Sequence, residues 1–294
     1  MSARILGWGM LASGAGRVAV IPEVDARARR LPRLERMALA AADRALLGQS
    51  VSTRLAVVLG SGYGGLQATA EFLDSLLARG AGFGSPTAFH QSVHHASAGQ
   101  LSILRDLRGP ALTVSSRELS GEAALEVGMR LLESKRADQV LVLAADERTQ
   151  ASDAAYRAFS QEDARRGEGA AALLLDAGEG PLRVSRCTLR SNLAPVLAFA
   201  PKTSFLPTLT AALADVESFS PSAASATVHA AEREVAAGRV LFEDAAEFGL
   251  HPSAGLLRIV AAVQRLATSP GRCLVHGLAL GGGQALVEIS HGRA

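Results

Sequence analysis

The residues of this chain best placed to do chemistry lie between Arg108 and Gly121, R-G-P-A-L-T-V-S-S-R-E-L-S-G. A short β-branched run, Leu112 to Val114, leads into a polar turn and then a helix from Ser120 to about Ser134. A strand-turn-helix junction exposes one side chain and aims backbone N–H groups and the positive end of the helix dipole at a developing negative charge. Glu118 stands near the head of this helix, with Ser115, Ser116 and Ser120 about it. An acid at a helix start is favoured by about 0.3–1 kcal/mol whatever its role, so Glu118 reads either as a dipole partner or as a functional carboxylate. A serine nucleophile would need a base, and no Ser-His-acid trio is evident.

Other candidates are weaker on spacing. His90, His94 and His95 sit in F-H-Q-S-V-H-H. Positions 90 and 94 are four apart, as ligands on one helix face would be, but no H-E-x-x-H and no third ligand accompany them. Packing is the better account, and no metal is expected. Gly60-x-Gly62-x-x-Gly65 fits the dinucleotide fingerprint, which requires an acid about 20 residues on. After Asp74 no acid occurs until Asp106, so these glycines serve a tight turn and no cofactor is expected. His229, in A-T-V-H-A-A, reads as a single histidine after an apolar strand, and His251 lies in F-G-L-H-P-S-A-G.

The elements that must position these residues alternate strand and helix. Strands are predicted at Arg4–Leu11, Arg54–Leu59, Leu112–Val114, Gln139–Ala144 and Glu168–Leu175. Helices are predicted at 34–45, 68–78 and 120–134, from apolar residues at helical spacing closed by Gly48 and Gly80. The second half repeats this in shorter form: strands at Leu182–Leu189, Cys273–His276 and Ala285–Ile289, helices at Leu206–Val216 and Ser253–Thr268. Gly167 to Leu174 and Gly281 to Val287 are both glycine clusters running into a buried strand, an internal echo that divides the chain into 1–178 and 179–294. The pattern is that of a layered α/β fold.

Composition narrows the classes. The 294 residues are 48% apolar with mean hydropathy +0.20, enough for a large core. A net charge of +2 gives no electrostatic case for nucleic acid. Two cysteines far apart, Cys187 and Cys273, argue against a disulfide framework and fit a reducing cytoplasm. No apolar run reaches the roughly 18 residues of a membrane span, and no signal pattern opens the chain. A cytoplasmic protein with no membrane partner is expected.

The ordered motifs resemble the β-ketoacyl synthases of the thiolase superfamily. Registering the junction on their G-P-x-x-x-x-x-x-x-Cys-x-Ser-Gly pattern matches Gly109, Pro110, Ser120 and Gly121, and puts Glu118 at the cysteine. Gly60 to Leu66 resembles their G-S-G-x-G-G-L turn, Arg33 to Leu46 their early surface helix, and Ser85-Pro86 with Ala98–Ile103 and Leu107–Pro110 the run before the nucleophile. Ala137 to Glu147 and Gly167 to Ala170 resemble their A-D-x-x-x-x-G-G-A-E and G-E-G-A segments. The C-terminal half matches less. His229 is the counterpart of the first active-site histidine. In the register of K-x-x-x-G-H-x-x-G-A-A-G, Asp244 takes the lysine position and Gly249 the second histidine, with His251 displaced by two. Leu280, Gly281 and Gly282 fall on the closing G-F-G-G-T-N.

The resemblance implies a thiolase-like α-β-α-β-α fold of two pseudo-repeats with shortened loops. It implies a homologue resembling the chain-length-factor subunits of type II polyketide, fatty acid and aryl polyene systems, inactive alone because Glu118 replaces the cysteine. A ketosynthase partner, paired across the strand at Leu112–Val114, and an acyl carrier protein are implied with it. Two alternatives stand: a thioester-acting acyltransferase or decarboxylase using Glu118 or a serine, and a homodimeric scaffold without an acyl pocket.

Overall fold

The computed structural model describes residues 2–13, 21, 26–159, 166–191, 205–222, 226–279 and 281–292. Among these, ten strands form one sheet: β1 (Ala3–Ala12), β2 (Leu55–Gly60), β3 (Ala111–Val114), β4 (Gln139–Asp146), β5 (Gly169–Asp176), β6 (Leu182–Ser191), β7 (Ser218–Ser220), β8 (Val240–Leu241), β9 (Gly271–Leu278) and β10 (Gly283–His291). Their order is β3-β2-β4-β5-β1-β6-β10-β9-β7-β8. Read outward from its centre, this order is symmetric, with β1 to β5 matching β6, β7, β8, β9 and β10 as β1/β6, β5/β10, β4/β9, β2/β7 and β3/β8. The senses match too. β5 is antiparallel to β1 and β4, as β10 is to β6 and β9, while β2 runs parallel to β3 and β4, as β7 does to β8 and β9.

The helices are α1 (Arg33–Leu46), α2 (Leu66–Arg79), α3 (Pro86–Ser92), α4 (Ala96–Leu104), α5 (Ser120–Glu133), α6 (Gln150–Phe159), α7 (Leu206–Ala212), α8 (Ala226–Val235), α9 (Asp244–Phe248) and α10 (Ala254–Thr268). Alternation along the buried strands assigns their faces. Val140, Val142, Leu173 and Leu175 pack with Leu125 of α5 and Leu256, Ile259 and Val263 of α10, and Val275, Val287 and Ile289 join the same core from the other set of strands. The opposite face, Leu141, Leu143, Ala172 and Leu174, packs against α1 and α4. Leu274, Leu278 and Leu286 turn outward onto α7 and α8. The result is the α-β-α-β-α layering, with α5 and α10 at its centre.

Several expectations are corrected. The helix predicted at Leu206–Val216 stops at Ala212, and a strand, β7, follows at Ser218. The segment holding His229 is helical rather than a turn after a strand. His90 lies on α3, while His94 and His95 lie between α3 and α4. They do not share a helix face, because Val93 is extended and breaks the helix there.

Candidate functional site

The elbow between β3 and α5 is built by hydrogen bonds that its own serines supply. Ser120 Oγ donates to the Arg117 carbonyl at 2.6 Å and accepts from the Ser116 N–H at 3.0 Å. Ser120 is fully buried, so its hydroxyl is committed to the turn. Arg117 is held at φ +51°, a left-handed conformation that a residue with a Cβ adopts at a cost. A 3₁₀ turn, Arg117–Leu119, then carries Glu118 to the head of α5. The helix head sits close on β2: a Cβ on Gly60 would overlap the Ser120 carbonyl, and one on Gly62 would meet both Pro252 and the Arg117 carbonyl. Glycine at these two positions lets the elbow and the head of α10 converge.

Glu118 is half-buried. Its Oε1 lies 3.5 Å from the Tyr156 hydroxyl, and its Oε2 is buried with no partner among the described residues. Tyr156, on α6, carries the Arg166 guanidinium 3.5 Å above its ring centre, and Tyr63 is its neighbour. Burial, then the neighbouring Tyr63 and Glu118, pushes the Tyr156 phenol well above its usual range. Tyr63 follows the glycine turn, which Asp146 ties down by accepting from Ser61 Oγ at 2.8 Å and from the N–H groups of Gly62 and Tyr63 at 3.0 Å.

His251 enters the same cluster from the other set of strands. It is 2% exposed. Its neighbour Leu250 pairs with Arg166, and a Cβ on Gly167 would touch its ring. Nδ1 is 2.7 Å from Ser253 Oγ, whose hydroxyl is 3.2 Å from the Gly169 carbonyl. Nε2 has no partner among the described residues. Burial first, then Arg166 and Arg258, pushes the imidazole down to about 3, so His251 is neutral at physiological pH.

Behind the elbow lies a buried polar network. Glu122, one turn along α5 from Glu118, has neither carboxylate oxygen hydrogen-bonded, and burial pushes its carboxyl up. Arg258 Nη2 of α10 is 3.7 Å from it, while Arg258 Nη1 donates to the carbonyls of Pro221 and His276 at 2.7 and 2.5 Å. His276 Nδ1 pairs with Glu232, which also accepts from the Ser222 N–H. Gln284 lies 3.1 Å from His276 Nε2. The sequence offers no spacing that announces this group, because its side chains come from five elements, α5, α8, α10, β9 and β10.

The remaining candidates scatter. His229 Nε2 is 3.0 Å from Glu243, which also pairs with Arg233, on the partly exposed side of α8. Gly249 is in a left-handed conformation two residues ahead of His251. Asp244 is buried and paired with Arg265. The turn at Gly281 and Gly282 does reach the elbow, since a Cβ on Gly281 would stand 3.4 Å from the Arg117 guanidinium. Leu280 lies outside the described residues. The structure thus brings Glu118, Ser116, Ser120, His251 and Gly281 to one region and leaves His229 engaged elsewhere. No cluster of three or more His, Cys, Asp or Glu able to hold a metal occurs among the described residues.

Comparison with known proteins assigns the class. The family described as Beta-ketoacyl synthase, N-terminal domain, matches residues 11–197, and the chain belongs to it. No curated protein sequence matches significantly. Among solved structures the chain is similar to the ishigamide ketosynthase/chain length factor, at 20% identity, TM-score 0.81 and 99% coverage of both chains. It is similar to AntDE:AntF, a type II acyl carrier protein in complex with its ketosynthase bound to the hexaketide, at 15% identity, TM-score 0.81 and 99% coverage of both. It is also similar to the ketosynthase ApeO in complex with its chain length factor ApeC from Xenorhabdus doucetiae, at 14% identity, TM-score 0.75 and coverage of 99% and 98%. These likenesses establish the thiolase-like ketosynthase fold. No helix among the described residues is long and apolar enough to cross a membrane.

Proposed function

We propose that this chain is a non-condensing, chain-length-factor-like ketosynthase homologue that pairs with an active β-ketoacyl synthase and works on chains delivered by an acyl carrier protein. The observation that carries this reading is the elbow. It keeps the strand-turn-helix frame of a nucleophile and presents a carboxylate instead, while the nearest hydroxyl, Ser120, is tied into the turn. In this reading His251, rather than Gly249, stands at the second histidine position. The segment 249–255 then reads two residues later than the motif register gives.

Support for a partner comes from the surface. β3 is an edge strand with Leu112 40% exposed. The neighbouring elements continue the apolar surface with Leu73 and Leu77 of α2, Phe83, Phe89 of α3 and Ile103 of α4, all exposed. An edge strand beside exposed apolar side chains invites a second chain. The similar structures include a ketosynthase with its chain length factor and one with its carrier protein. These uses are carried to this chain as part of the reading.

The test is co-expression with a ketosynthase that keeps its cysteine. Co-purification as a heterodimer is expected, and Leu112→Asp should abolish it. Incubation of the chain alone with acyl- and malonyl-carrier protein, read by mass spectrometry, should give no covalent adduct and no ketoacyl product. A stable monomer at micromolar concentration beside such a partner, or acylation of the chain alone, overturns the proposal.

A further inference from the structure

The geometry points to Ser253 as a positioning residue: it holds the His251 proton on Nδ1, so that the buried Nε2 is left as a hydrogen-bond acceptor.

One proton decides the tautomer. A serine hydroxyl donates once. Ser253 Oγ has two neighbours, the Gly169 carbonyl at 3.2 Å and His251 Nδ1 at 2.7 Å. The carbonyl can only accept. If the hydroxyl donates to it, Nδ1 must carry a proton and donate to Oγ, and both contacts are satisfied. The opposite arrangement turns an oxygen lone pair toward a carbonyl oxygen. Either tautomer leaves the buried Nε2 unpartnered among the described residues, but Arg166 and Arg258 act on the ring, and nearby cations favour a lone pair there over an N–H.

A second observation is independent. Ser253 occupies the N-cap of α10, where a serine usually caps with its hydroxyl, yet it makes no such bond. Capping is worth about 1 kcal/mol, so the hydroxyl has been diverted to the histidine. The outcome is an imidazole 2% exposed, fixed in ring orientation, with one free acceptor. The other orphan acceptor of the cluster, Glu118 Oε2, is likewise buried. Arg258 holds two carbonyls, and Arg166 the Ser152 carbonyl and the Tyr156 ring, and each keeps a buried Nε–H without a partner among the described residues.

The site is that of the proposed function, but the measurements need neither ketosynthase nor carrier protein, so failure here and failure there are separable. The full chain, labelled with ¹⁵N-histidine, is read by long-range ¹H–¹⁵N correlation. His251 should show the neutral Nδ1–H tautomer, unchanged from pH 8 to pH 5. Ser253→Ala should convert it to a tautomer mixture, and Ser253→Thr, which keeps the hydroxyl, should restore it. An Nε2–H tautomer in the unmodified chain overturns the inference, and that reading stands even if Ser253→Ala fails to fold. So does a His251 signal unmoved by Ser253→Ala.

Discussion

At the scale of single residues, the elbow holds its shape without help from the side chain at position 118. The frame depends on Ser120 bonding Ser116 and Arg117, on the left-handed Arg117 and on the helix head behind it. None of these requires a cysteine. A thiol installed by Glu118→Cys would gain the helix N-terminus, which favours thiolate. It should therefore react with iodoacetamide. Condensation should still fail, because stabilising the enolate requires donors, and His251 Nε2 is an acceptor. Loss of one oxyanion donor costs about 10²–10³ in rate. His229, the other histidine candidate, is held by Glu243. Alkylation of the variant by mass spectrometry, with no ketoacyl product, is the expected result. Turnover approaching that of an intact ketosynthase would show that a donor pair is present after all.

At the scale of elements, the central helices α5 and α10 meet through Glu122 and Arg258, and the two are not equivalent. Arg258 holds two backbone carbonyls as well as facing Glu122, whose own oxygens bond nothing. Removing Arg258 strands both carbonyls and Glu122 together. Breaking a buried pair from its bonded side typically costs about 3–5 kcal/mol. Replacing Glu122 by methionine removes a carboxyl that burial favours in its neutral form and leaves Arg258 its two carbonyls, so it should cost less than removing Arg258. Urea unfolding of Arg258→Ala and Glu122→Met should separate the two; equal losses would contradict the asymmetry. The same helices show what the sequence discloses. Their apolar periodicity and the glycine-bounded strands β2, β4 and β5 were readable because each is a continuous local pattern. The elbow was readable because eight residues of turn chemistry lie in one run. The place of His251 beside Arg166 was not, because that neighbourhood is made across the fold. Helix α8 was not, because Thr227, Val228 and His229 weaken its helical signal and packing on the outer layer decides it.

At the scale of the molecule, the pseudo-twofold order of the sheet places the heads of α5 and α10 side by side, so each set of strands delivers one polar residue, Glu118 and His251, to a shared site. Buried carboxyls on α1 and at the end of β4 govern the pH response. Burial pushes Glu35 of α1 from 4.5 up to about 7, with Glu147 as the second cause. Glu147 rises likewise to about 7, from burial and then Glu168, and buried Asp146 rises from 3.8 to about 7. Each of these folded-state values lies above its unfolded value, so the native chain holds protons that the unfolded chain has released. Stability is then full below about pH 4 on this count and is lost as pH rises through about 7. His251 acts in the opposite sense: depressed to about 3, it withdraws stability as pH falls below about 6.5. Three carboxyls against one imidazole leave the net slope negative between those limits, and above about pH 6.5 the carboxyls act unopposed. The melting temperature should therefore fall from pH 6 to pH 8. Glu147→Gln should flatten that fall by removing one titrating group and relieving Glu35 of its nearest charge, whereas His251→Gln should leave the fall above pH 6.5 in place. Thermal melts across the three proteins decide the matter, and a midpoint that rises between pH 6 and pH 8 would refute the assignment of these protons to the buried carboxyls.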